Sequence, residues 1–355
     1  MSLKATIDAF EAWRGSGEAV AMVTVIRTEG STYSKPGHRI LIAANGDYQG
    51  LVSGGCLEGD LAAHAREVIE TGMARKVLYD LRDEADEVWG MGIGCNGMIE
   101  VLLQRLDRDR DYEPFTTIAR CALEGLNAVC SVVTASDDAR IAVGETRIDG
   151  DGAELAWQVR EDQDKNDEDK IDVDQLRAGH ATPHALLTER DGITVFHSAL
   201  RPVPRLLVIG AGPDAVPLVR MAAELGWLVT VADHRQAYLD EPAFAAAEHR
   251  CLTRAGELGD IDNPEGYASA VIMTHHLDTD RAWLDALAAT GIGYIGLLGP
   301  PARRDRLVDE IDNAALLGDR LHAPVGLAIG ADGPESIALS ILAEMQAFQS
   351  AHDST

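Results

Sequence analysis

The feature that most constrains the fold is a strand, a glycine turn and a helix in immediate succession at residues 206–225. The apolar run LLVIG (206–210) enters Gly210-Ala211-Gly212-Pro213-Asp214-Ala215, and helical spacing then runs to Leu225, where Gly226 ends it. A second strand, LVTVAD, covers 228–233. Short buried strands are predicted at 270–274 and 294–298, with helices at 278–289 and 335–348. Strand–helix alternation with short connections specifies a parallel sheet covered on both faces.

The turn has the form G-x-G-x-x-A in the context that gives the pattern meaning. The first glycine permits the tight turn, the second lets a phosphate approach the backbone, and the small third residue lets helix and strand pack closely. Asp233 ends the next strand, 23 residues after Gly210, near the position of a ribose-binding acid. A Rossmann-type domain follows from these residues. Cofactor-binding candidates here are Gly210, Gly212, Asp233 and Arg235, the last placed to serve a phosphate. Asp214 complements the helix dipole but competes with a diphosphate for the same N–H groups. The glycines would equally serve if they only built the fold. Thr274-His275-His276 ends a strand at the carboxyl edge, where such sheets bind ligands, and His276 is the candidate of the pair. Arg303, Arg304 and Arg306 either hold an anion or cover a solvated helix face.

The first half reads differently. Strands are predicted at 19–26, 39–43, 48–53, 76–81, 98–103 and 127–134, with helices at 57–71 and 114–124. Asn45-Gly46-Asp47 marks a hairpin turn. Further hairpins are expected near 140–147 and 184–198. The 355 residues therefore divide into a strand-rich mixed α+β domain at 1–199 and a Rossmann-type doubly wound α/β domain at 200–355. Residues 161–182 are expected to be an acidic flexible insert. Its segment 161–174 has eight acids and two lysines, −6 of the formal net charge of −27. A field of that sign repels phosphate backbones, which argues against nucleic-acid binding. No apolar run reaches the length of a membrane span, and the first twenty residues have no signal-peptide core. A soluble, cytoplasmic protein is expected. The five cysteines include no short CxxC pair, so neither a disulfide scaffold nor a zinc knuckle is expected.

Two segments depart from ordinary structure: Ser53-Gly54-Gly55-Cys56-Leu57-Glu58-Gly59-Asp60, and residues 88–97, VWGMGIGCNG, with Cys95. Each sets a cysteine among glycines at a strand end. Glycines expose backbone N–H groups and let a bulky ligand approach. A thiol beside a helix N-terminus is favoured as thiolate, a soft ligand for a metal or for sulfur chemistry. Small cysteines filling tight turns account for the same pattern. Glu58, in the first helical turn, either caps the helix or orients a polar ligand. Residues 27–39, RTEGSTYSKPGHR, form a polar loop rich in hydroxyls and cations, the groups that hold a phosphate or a pterin edge. Cys121, Cys130 and Cys251 sit in apolar patterns and read as structural.

The stretches RTEGSTYSKPGHRILI, GLVSGGCLEGDL, VWGMGIGCNGMIEVLL, LLVIGAGPDAVPLVRMAAELGWLVTVADHR, VIMTHH, YIGLLGP and LHAPVGLAIGADGPESIALSILAEM together resemble the XdhC/CoxI family, accessory proteins of molybdenum hydroxylases such as xanthine dehydrogenase and carbon monoxide dehydrogenase. The acidic insert lies outside the pattern. The resemblance implies a chaperone that binds the molybdenum cofactor, as molybdopterin or its dinucleotide form. Such a protein holds the cofactor while a cysteine desulfurase supplies sulfide to molybdenum, then passes it to the apo-hydroxylase. It also implies an N-terminal domain with the cysteine motif and a C-terminal Rossmann domain. On this reading Cys56, Cys95 and Glu58 do the chemistry, Cys56 meets molybdenum, and Ser53, Gly54 and Gly55 hold the cofactor. A crevice between the two domains would enclose a cargo that air and water oxidise. A maturation factor is expected rather than an independent catalyst. Two other readings stay open: an NAD(P)-dependent oxidoreductase, for which no acid–base set is evident beyond His275 and His276, and a non-catalytic docking scaffold. A homodimer is a further expectation, because edge strands need cover.

Overall fold

The computed structural model describes residues 2–82, 97–150, 153–154 and 185–352. The chain forms two compact units, one through Pro202 and the other from Val203. Cys95, the rest of its glycine motif before Gly97, and the acidic insert lie outside the described residues.

In the first unit, helix α1 (Leu3–Ser16) opens at Ser2, whose hydroxyl accepts from the Ala5 N–H, and ends at Gly17 in the left-handed region. Strands β1 (Val20–Gly30), β2 (Arg39–Ala43), β3 (Tyr48–Gln49), β4 (Arg75–Asp80) and β5 (Gly97–Leu106) form an antiparallel sheet in the order β3-β2-β1-β5-β4. Helix α2 (Glu58–Thr71) lies on one face. Ala21, Val23 and Val25 of β1 meet Leu61, Ala65 and Val68 there, following the two-residue period of a strand and the helical period of its partner. The register shifts between Val25 and Arg27, a bulge that leaves Ile26 packed instead with Leu102, Val132 and Phe196.

That second cluster joins the first sheet to another antiparallel sheet. Its strands are β6 (Ala128–Ser136), β7 (Thr146–Gly150), β8 (Ala153–Glu154), β9 (Ala185–Arg190) and β10 (Ile193–Leu200), in the order β8-β7-β6-β10-β9. Helix α3 (Phe115–Glu124) precedes β6. Its Phe115 packs edge-on against Phe10 of α1, with ring centroids 4.8 Å apart.

The second unit is a six-stranded parallel sheet. Its strands are β11 (Arg205–Ile209), β12 (Leu228–Asp233), β13 (His249–Leu252), β14 (Ser269–Ile272), β15 (Tyr294–Leu297) and β16 (Leu321–His322), in the order β13-β12-β11-β14-β15-β16. Helices α4 (Ala215–Glu224), α5 (Gln236–Leu239), α6 (Leu277–Ala288), α7 (Pro301–Glu310), α8 (Ala314–Leu317) and α9 (Pro334–His352) accompany it. One core packs α4 and α9 on one face, and another packs α6 and α7 on the opposite face. This is the doubly wound Rossmann arrangement. Its strand order reverses between β11 and β14, which places the ligand crevice of such sheets beside Gly210.

Local differences from the sequence reading have local causes. The strand expected at 48–53 stops at Gln49 because Gly50 turns out at φ +104, with Ile40 so close that a Cβ would lie 2.4 Å from its Cγ2. Helix α1 and strand β13 were not anticipated. Among the described residues, no helix is long and apolar enough to cross a membrane.

Candidate functional site

Beyond Gly50, residues 51–57 turn from β3 into α2, and Glu58 organises that turn. Its side chain is buried and accepts the Val52 N–H (2.8 Å), the Ser53 N–H (3.0 Å) and the Ser53 hydroxyl (2.8 Å). The Ser53 hydroxyl in turn accepts the Leu57 N–H at 2.8 Å, which closes the turn just ahead of α2. Burial by itself would raise the Glu58 pKa, but the donors from Ser53 and Val52 outweigh it and hold the carboxyl below its ordinary value. Gly54 and Gly55 lie at φ +78 and +114. Only glycine adopts such angles freely, and together they bring the chain round to leave Cys56 exposed.

The polar loop between β1 and β2 is tied to this turn. The Ser34 hydroxyl donates to the Leu51 carbonyl at 2.9 Å, and the Thr32 hydroxyl to the Ser34 carbonyl at 2.9 Å. The Tyr33 ring lies over Gly54, 3.8 Å from where a Cβ would stand, and is 60% exposed. Gly97, the first residue of β5, passes close beneath the loop. A Cβ there would be 2.5 Å from the Ser31 carbonyl oxygen and 2.8 Å from Thr32 Cγ2. Ser31, Thr32, Tyr33, Ser53 and Cys56 thus line one depression, completed by Leu81, Gly97 and Ile99.

Two of the loop's cationic side chains are committed elsewhere. Arg39 donates to the Ser198 hydroxyl at 2.6 Å and to the Gly37 carbonyl at 3.1 Å, and Arg27 pairs with Glu29. Burial lowers the pKa of His38 and favours its neutral form, against the raising effect of a hydrogen bond to the Leu51 carbonyl. The first unit therefore juxtaposes one thiol, several hydroxyls and an aromatic face. Among the described residues, no group of three or more His, Cys, Asp or Glu side chains could hold a metal ion.

At the carboxyl edge of the parallel sheet, Gly210 (φ +109) packs against the end of β14. A Cβ there would be 2.7 Å from the Met273 carbonyl oxygen. The Asp233 carboxylate accepts the Ala211 N–H (2.7 Å) and the Arg235 N–H (2.9 Å). It also takes the Arg235 guanidinium through Nε (2.9 Å) and Nη2 (2.8 Å). Burial would raise the Asp233 pKa, but these donors lower it. Arg235 also stacks on the Tyr238 ring, 3.7 Å from its centroid. Asp233 and Arg235 border a depression with Gly210, His234, Thr274 and Thr279. Their polar groups brace the glycine turn and each other.

Of the two histidines that follow β14, His275 reaches the glycine turn. Its backbone turns left-handed at φ +60, and its Nε2 lies 2.7 Å from Asp214 Oδ2. His276 immediately precedes α6, with Nδ1 3.1 Å from the Thr279 hydroxyl. The three arginines near α7 are also paired. Arg303 grips the buried Asp280 through Nε and Nη2, Arg304 reaches the Ala323 carbonyl and Asp305, and Arg306 pairs with Glu310.

Ser31, Thr32 and Tyr33 lie in the hydroxyl-rich loop that the sequence marks at 27–39, while nothing in the sequence singles out Gly97 as part of this depression.

The family described as XdhC and CoxI matches residues 13–80, and the XdhC Rossmann domain matches residues 206–345. The chain is 32% identical over 330 residues to a probable xanthine dehydrogenase subunit of Bacillus subtilis (strain 168), covering 92% of each. It is 23% identical over 333 residues to the molybdenum cofactor insertion chaperone PaoD of Escherichia coli (strain K12), covering 93% of this chain and 83% of PaoD. It is also similar to the crystal structure of a xanthine dehydrogenase from Bacillus halodurans, at a TM-score of 0.77 and 29% identity, covering 99% of this chain and 96% of that one. With both family regions matched in order and nearly a third of residues shared along almost the whole length of a relative, this chain belongs to the XdhC and CoxI family.

Proposed function

We propose that the protein receives the molybdenum cofactor as cargo, protects it during sulfuration and delivers it to a molybdenum hydroxylase. The observation that carries this reading is the meeting of the Cys56 turn and the Ser31–Ser34 loop around one depression. A soft thiol suits molybdenum or sulfur. Hydroxyls suit the polar edge of a pterin, and an exposed aromatic ring offers a face for its bicycle. In this reading Cys56 contacts the molybdenum end or relays sulfur, and Cys95 assists. Ser53, Gly54 and Gly55 shape the contact surface, while Glu58 positions that turn without touching cargo. An open site also suits a carrier, which must release what it binds. The sulfur source would be a cysteine desulfurase, and the recipient would be the apo-hydroxylase.

The test is coexpression with a molybdenum cofactor pathway, followed by metal analysis and mass spectrometry of the extracted pterin. Cys56→Ala and Cys56→Ser should each retain at least roughly tenfold less molybdenum than the parent, about 1.4 kcal/mol of binding. Undiminished molybdenum and undiminished sulfuration in both variants would remove Cys56 from the site.

A further inference from the structure

Parallel sheets of this order hold dinucleotides at the point where the strand order reverses, with the diphosphate on the glycine turn and a ribose on the acid that ends the second strand. The residues of the second unit do not fit that group. The Asp214 carboxylate stands over Gly212, with Oδ1 2.5 Å from where a Cβ would be. It therefore puts negative charge where a diphosphate would need the helix N-terminus. Residue 213 is proline, which has no N–H to donate. Asp233 accepts from the Ala211 N–H and from Arg235, and its side chain is 2% exposed, so it offers no open face to a ribose diol. Gly210 has a role without any ligand, because the Met273 carbonyl occupies the space its missing side chain leaves.

We infer that the second unit is closed to dinucleotides, and that Asp214 is the specificity-determining residue that closes it. This covers NAD(P) and equally the diphosphate of a dinucleotide form of the pterin cofactor. The glycine turn here is a packing device, and the charge above it selects against phosphate. Nothing in this exclusion depends on the role proposed for Cys56.

Titration of the full-length protein with NADH and NADPH by fluorescence, and with ADP-ribose by calorimetry, tests it. No molybdenum is involved, so the outcome is separate from that of the carrier reading. Asp214→Asn and Asp214→Ser both place a residue that helix starts accept readily, and a thermal melt of each checks its fold. The parent should show no saturation up to about 1 mM, and both variants should bind at least roughly tenfold more tightly. Saturable binding to the parent with a dissociation constant below about 100 μM overturns the exclusion. A silent parent with two folded, equally silent variants overturns Asp214 as the gate.

Discussion

Two buried carboxylates, Glu58 and Asp233, each take their hydrogen-bond donors from inside the chain, and this decides what they can do. Glu58 accepts three hydrogen bonds at 1% exposure, so removing its charge leaves buried N–H groups poorly matched. Glu58→Gln should cost about 1–3 kcal/mol near neutral pH. Its folded pKa lies below the ordinary value of 4.5. The stabilisation is therefore complete above that value and is lost as pH falls through the lowered one. Urea unfolding of parent and variant over roughly pH 3 to 8 checks this: the stability gap should close at the acid end, and a gap constant with pH contradicts it. The same residues show what the sequence could and could not reveal about the site. Gly54, Gly55 and Cys56 were legible because turn chemistry restricts residue type. Glu58 leaves two roles open in the sequence, and the partners of Asp233 are not legible there, because a sequence carries no record of where lone pairs point. The direction of His275 is not legible because neither strand nor helix period extends through its left-handed backbone.

Loops and strands add a constraint that no single side chain shows. Strand β5 starts at Gly97 directly under the Ser31–Thr32 backbone, so the start of one element sets the height of another. Gly97→Ala must move backbone atoms, since the nearest contact is a carbonyl oxygen at 2.5 Å. The expected cost is about 1–3 kcal/mol, together with lost cofactor retention as the loop lifts from the depression. Gly59→Ala is the contrast. It lies in α2, and a Cβ there meets nothing within 4 Å. It should therefore be neutral or stabilise by up to about 1 kcal/mol. Equal retention in both variants, measured beside their melting curves, would contradict the coupling. The parallel sheet was legible because each buried strand is a short apolar run bounded by turn signals. The first unit was legible in its strands but not in their order, since antiparallel pairing of β1 with β5 joins residues far apart in the chain, Val20 with Leu106 and Gly30 with Gly97. Helix α1 escaped notice although Ser2 and Gly17 bracket it as caps. Strand β13, HRCL, has an exposure pattern without a two-residue period to find.

For the molecule as a whole, charge is the dominant unpaired quantity. The chain has 58 acids against 31 lysines and arginines, a net of −27. Segment 161–174 carries −6 of this, which leaves −21 spread over the remaining sequence. Pairing absorbs the basic side chains readily. Arg82 meets both Asp80 and Glu29, Arg140 meets Asp138, and Arg306 meets Glu310. Salt acts on these two populations in opposite directions. It weakens exposed pairs, each worth only about 0–1 kcal/mol. It also relieves repulsion among the surplus acids, because the screening length shrinks from about 30 Å at 0.01 M to about 3 Å at 1 M. The surplus acids are numerous and long-ranged at low salt, whereas the pairs are local, so relief should win. The melting midpoint should rise by roughly 2–4 °C or more between dilute buffer and molar potassium chloride, corresponding to a gain of about 1 kcal/mol or more. Deleting 161–174 should reduce that rise only modestly, because most of the surplus lies elsewhere. A midpoint that stays flat or falls across the salt series would show that the local pairs outweigh the collective field.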